Sequence, residues 1–140
     1  MPRNYRSESR YGLCCTAHRA LLWSNLRFRF RAKSGFGQLW GKTINTGQSC
    51  TAPNHILVPA EAQEALVAAL AKAYDAFYPE GPATGASISR LISGRTLNRP
   101  KGMLDKTSGS IVRGGETDEA SRYMAPTIVR DVRLDDSLME

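Results

Sequence analysis

The clearest pattern of apolar and polar positions runs from Ala60 to Tyr78. There Leu66, Val67, Leu70, Tyr74 and Phe77 recur at helical spacing on one face, with Glu64, Lys72 and Asp75 away from it. The segment is rich in Ala, Glu, Leu and Lys, which lose little side-chain freedom in a helix. Glu61 and Glu64 sit in its first turn, where the helix dipole favours negative charge. Pro79, Gly81 and Pro82 end it. This stretch predicts the best helix in the chain.

Ahead of that helix, Asn54 to Val58 is a short apolar run closed by Pro59 and predicts a buried strand. Downstream, Ser93 predicts the N-cap of a shorter helix running toward Leu104. Ile111-Val112-Arg113 predicts a strand turned by Gly114-Gly115, and the β-branched run from Thr127 to Val132 another. Strands alternating with helices predict an α/β fold with a parallel sheet. Pro100 falls inside the shorter helix, removing a hydrogen bond at a cost of ~3 kcal/mol, and predicts a kink or a weakened helix there.

Residues 1–37 show no sustained period. Leu21, Leu22 and Trp23 form an apolar clump, and Arg27 to Arg31 alternates basic and aromatic residues, a weak strand signal. Eight of the 19 basic residues fall in this quarter, against Glu8 alone, whereas the rest of the chain is nearly neutral. The net charge of +6 is therefore local, and the segment reads as a disordered basic leader. An Arg-rich, acid-poor start also resembles a mitochondrial transit peptide, and interleaved Phe and Arg a nucleic-acid surface. The plain leader is preferred, with no nucleic-acid partner expected.

The length suits one domain or less, and no apolar run approaches the ~18–20 residues of a membrane span. Cys14, Cys15 and Cys50 are odd in number and form no spaced framework, so a disulfide scaffold is not expected and a cytoplasmic setting is the default. His18 and His55 lack zinc-ligand spacing with them, and no metal-binding residue is assigned. A lone cysteine is ordinarily a small buried hydrophobe. Around Cys50, however, Gly47 lets the backbone turn tightly, and a thiol held there becomes a nucleophile if it ionises.

The neighbours of Cys50 decide between those readings. Trp40 to Pro53, with Ile-Asn-Thr-Gly-Gln-Ser-Cys-Thr-Ala-Pro at its centre, resembles the active-site segment of the aldehyde dehydrogenase family. Ile92 to Asp105 resembles a helix of that family, and Gly-Gly-Glu-Thr-Asp-Glu-Ala-Ser-Arg-Tyr-Met-Ala-Pro-Thr (114–127) its most specific downstream block. The likeness is greatest to the class that includes the microsomal and fatty-aldehyde enzymes, and covers residues 38–140. It implies a partial catalytic domain with Cys50 as catalytic nucleophile. The implied reaction is oxidation of a small-molecule aldehyde to a carboxylic acid with NAD or NADP, through a thiohemiacetal and a thioester.

Other parts of the family pattern have no match in these residues. No glutamate occurs between Glu8 and Glu61, where the resemblance calls for a general base. No Gly-x-Gly-x-x-Gly occurs, and no cofactor-binding residue is assigned. The alternative expectation is thus a catalytically inactive remnant, pairing with further subunits of its own or another kind through exposed sheet edges. Ester hydrolysis, which needs only the thiol and oxyanion donors, is an intermediate expectation.

Overall fold

The computed structural model describes residues 32–84 and 88–139. The Arg27–Arg31 alternation, Cys14, Cys15 and His18 lie outside the described residues.

Three helices carry most of the chain. Helix α1 (Ala32–Thr43) begins inside the segment read as leader and was not predicted by the pattern. Its outer side keeps Phe36 and Trp40 exposed while Leu39 and Lys42 are buried, which blurs the apolar period. Gly35 lets α1 lie close to the next helix, since a Cβ there would stand 2.8 Å from the Ala69 backbone. Helix α2 (Ala60–Phe77) matches its prediction, with Leu66, Leu70, Ala73 and Tyr74 buried. Helix α3 (Gly94–Lys106) starts at the predicted cap: the Ser93 hydroxyl accepts the Thr96 N–H at 3.2 Å. It continues through Pro100. Leu97, Pro100 and Leu104 share its buried face, so the pyrrolidine ring adds core contact that offsets the lost hydrogen bond.

The strands are short: β1 (Ser110–Arg113), β2 (Thr117–Asp118), β3 (Tyr123–Met124) and β4 (Ile128–Arg130). β1 pairs antiparallel with β4, placing Ile111 opposite Val129, and β2 pairs antiparallel with β3. The parallel pairing expected from strand–helix alternation is not formed between strands of the described residues. The run Asn54 to Val58 does not form the buried strand expected: only Val58 is buried, and exposed Leu57 contributes an isolated bridge residue. The strand expected to reach Val132 stops at Arg130. Asp131 turns left-handed there (φ 59°), with its carboxylate accepting from Gln63 Nε2 at 2.8 Å and Arg130 Nε at 2.9 Å.

β4 separates two apolar clusters. Ile128 joins Leu39, Val58, Leu66, Leu70 and Tyr74 on the side of α1 and α2. Its neighbour Val129 joins Leu91, Leu97, Leu104, Met124 and Val132 on the side of α3. Alternate side chains of a strand point to opposite faces, so two consecutive residues hold both layers together. Helices flanking a strand on both sides give the layering of an α/β fold.

Asp136 fastens the end of the chain to α3. Its Oδ2 accepts the Ser108 N–H and hydroxyl, both at 2.9 Å, and its Oδ1 accepts the Leu138 N–H at 2.9 Å. Burial alone would raise its pKa, but hydrogen bonds from Leu138, Thr107 and Ser108 outweigh it and hold the carboxyl below its ordinary value. A depressed folded-state pKa contributes stability above the unfolded value of about 3.9, lost as pH falls through the folded one. Thermal melts from pH 7 down to pH 3 should therefore show a steep acid-side decline that Asp136→Asn flattens. An identical slope in the variant would exclude this role.

Candidate active site

After α1 the backbone reverses hand. Asn45 (φ 49°), Thr46 (φ 57°) and Gly47 (φ 73°) are all left-handed. Asn and Gly tolerate this region, whereas a β-branched Thr does not. Such residues cost ~1–3 kcal/mol and persist only where surroundings hold them. For Thr46 the holding contact is a hydrogen bond from its hydroxyl to the Ser89 carbonyl.

Cys50 follows in an exposed turn, with a free thiol. The Ala52 N–H bonds the Ser49 carbonyl at 3.1 Å, and the Ser49 and Thr51 hydroxyls meet at 3.0 Å. Among the described residues the Cys50 N–H donates to no carbonyl. The base of the loop is closed by Lys42, at the end of α1, whose Nζ donates to Asn54 Oδ1 at 2.7 Å. Lys42 is only 4% exposed. Burial, and then the Lys42 charge, lower the pKa of neighbouring His55, which favours its neutral form.

Residues 88–92 run as a strap beside this loop. Gln48 Nε2 donates to the Arg90 carbonyl at 3.3 Å, and Gln48 Oε1 accepts the Ile92 N–H at 3.1 Å. On its other side the strap meets the turn between β2 and β3. The Leu91 N–H donates to the Arg122 carbonyl at 3.0 Å, and Arg122 Nη1 donates to the Ile92 carbonyl at 3.0 Å. The Arg90 guanidinium lies 4.9 Å from the centre of the Tyr123 ring. Tyr123 is buried, its hydroxyl has no hydrogen-bond partner among the described residues, and burial raises its pKa, with Glu116 adding to the effect.

The three sequence blocks thus meet at one place: Gln48 beside Cys50 from the first, Ile92 from the second, Arg122 from the third. Cys50 was singled out from its neighbours in sequence. The strap and the role of Gln48 were not, because their partners lie some forty positions apart. The only local signal was the pair Asn45 and Gly47, both of types suited to left-handed backbone.

Comparison with known proteins bears on this convergence. Residues 36–140 match the model of the aldehyde dehydrogenase family. Beta-apo-4'-carotenal oxygenase of Neurospora crassa is 40% identical over 102 residues, covering 73% of this chain and 19% of that protein. Aldehyde dehydrogenase family 3 member B1 of Mus musculus is 39% identical over 101 residues, 72% of this chain and 21% of the relative. Aldehyde dehydrogenase family 3 member A2 of Rattus norvegicus is 40% identical over 101 residues, 72% and 20% respectively. The chain spans about a fifth of the length of these curated relatives. With most of its residues matched to the family model, and with the matched segments joined through Gln48, Ile92 and Arg122, the chain belongs to the aldehyde dehydrogenase family.

Proposed function

We propose that this chain carries the nucleophilic centre for oxidation of an aldehyde to a carboxylic acid with NAD(P), and that Cys50 is the nucleophile. The observation that carries the reading is an exposed thiol two positions after Gln48, whose side chain ties the cysteine segment to the second family segment. In the step assigned here, the Cys50 thiolate attacks the carbonyl carbon. A C–S bond forms and the carbonyl π electrons move to oxygen. That oxygen takes up a proton from solvent, which received the thiol's own, so the thiohemiacetal forms without net oxidation. The N–H of Cys50, which donates to no carbonyl of the described residues, is the donor this loop offers to the developing oxyanion. Covalent capture divides one difficult reaction into easier steps.

Use of NAD(P) belongs to the family, and the cavity beside the cysteine loop does not fit a dinucleotide by itself. The cavity lined by Lys42, Thr46, Ile88, Met124 and Pro126 measures about 20 Å³. That admits a water molecule, against ~300–1,000 Å³ for small-molecule pockets. No hydride-transfer step is assigned to these residues.

The test uses an activated ester, whose acyl transfer needs the thiol and an oxyanion donor only. Attack on p-nitrophenyl acetate breaks the ester C–O bond, releases p-nitrophenolate and leaves an acetyl thioester. Trypsin then yields the peptide 43–72, in which Cys50 is the sole cysteine. Mass spectrometry should find that peptide acetylated, and Cys50→Ala should remove the nitrophenolate burst. An unmodified peptide and an equal burst in Cys50→Ala would sink the assignment.

A further inference from the structure

We infer that Gln48 is a positioning residue for Cys50, holding the cysteine loop against the 88–92 strap through its side-chain amide. The inference rests on the proposed role of Cys50 as nucleophile. Gln48 stands two positions before the cysteine, and its amide is engaged on both sides. Toward the loop, Nε2 donates to the Asn45 carbonyl at 3.1 Å, an oxygen that also accepts the Gln48 N–H at 3.0 Å. Toward the strap, Nε2 donates to the Arg90 carbonyl at 3.3 Å while Oε1 accepts the Ile92 N–H at 3.1 Å. The neighbouring polar side chains make other contacts. Thr46 reaches the Ser89 carbonyl, and Ser49 and Thr51 bond each other.

Two peptide planes connect Gln48 to the N–H of Cys50. An oxyanion donor must be aimed at the place where charge develops, within ~2.7–3.1 Å of that oxygen. A misplacement of ~1 Å can cost ~100-fold in rate. Gln48 fixes the start of those two planes and so the direction of the N–H. Its removal should harm acyl transfer, which needs that donor. It should spare alkylation by iodoacetamide, in which an exposed thiolate displaces iodide and no oxyanion forms.

Both reactions are to be followed on the full chain at the 43–72 peptide, for wild type, Gln48→Ala and Gln48→Glu, with thermal melts alongside. Gln48→Glu keeps the side-chain length and the acceptor for Ile92 but, when ionised, loses both donations. The expected result is acetylation slowed ~10-fold in both variants with alkylation within about twofold of wild type. Should Gln48→Ala fail to fold, Gln48→Glu decides alone. Unchanged acetylation overturns the inference. So does a parallel fall in acetylation and alkylation, which marks general loosening. Absence of acetylation at Cys50 in the wild-type chain overturns both this inference and the nucleophile assignment, whereas acetylated wild type with unaffected variants overturns this inference alone.

Discussion

Gly114→Ala is expected to abolish or cripple cooperative folding. Gly114 follows β1 with φ +77°, a region that costs an L-residue ~1–2 kcal/mol. The larger cost is steric. A Cβ at this position would stand 2.0 Å from the Pro126 carbonyl oxygen and 2.9 Å from both its carbon and the Thr127 Cα. These are backbone atoms leading directly into β4, so no side chain can swing aside to relieve the clash. Moving them would disturb the bond from the Gly115 N–H to the Thr127 hydroxyl (3.0 Å) and that hydroxyl's bond to the Ala125 carbonyl (2.9 Å). It would also displace Ile128 and Val129, which seat the two apolar clusters. Each kcal/mol lost lowers the melting temperature of a domain of this size by ~4–8 °C. Circular dichroism should therefore show a drop of about 15 °C or more, or no transition at all. A variant melting within a few degrees of wild type would mean that the 113–127 turn is not packed as described.

Leu97→Ala should follow in severity. Leu97 is fully buried in α3 and packs in the cluster of Leu91, Met124, Val129 and Val132. It thereby joins the helix to the strap and to the strand that both cores share. Truncating a buried leucine removes its transfer free energy and leaves a cavity, together ~2–5 kcal/mol. Against a total stability of ~5–15 kcal/mol that is a large fraction. Urea titration should show a lower midpoint with an unchanged slope, since the surface exposed on unfolding stays nearly the same. Asn98, the exposed next residue, supplies the contrast: Asn98→Ala should stay within ~0.5 kcal/mol of wild type. Equal effects of the two substitutions would contradict the orientation of α3.

What was legible in the sequence depended on how local the cause was. α2 could be read because one buried face recurs from Gln63 to Tyr74, about three turns, with charges away from it. The Ser93 cap could be read because it needs only the amide three residues on. α1 could not, since Phe36 and Trp40 stay exposed and no clean apolar stripe remains. β2 and β3 have two residues each, too few for an alternation to register. The direction of strand pairing was also beyond reach, because apolar content reports depth of burial and not whether neighbours run parallel. At the site, Cys50 was visible through its resemblance. The left-handed Thr46 and the reach of Gln48 to Arg90 and Ile92 depend on how distant segments pack, which local residue types do not encode.

The strap beside Cys50 has one more consequence. The carbonyls of Ser89, Arg90 and Ile92 and the amides of Leu91 and Ile92 are all engaged, by Thr46, Gln48 or Arg122. The Gln48 amide offers the strap one donor and one acceptor, as an adjacent strand would, and so seals an otherwise open backbone edge. Those peptide groups are already taken and offer nothing to a further hydrogen-bonding molecule. What the strap leaves open is the side chain of Ile92, 75% exposed. A contact made on the strap through Ile92 is thus one of apolar shape, to which the engaged peptide groups add no hydrogen bond.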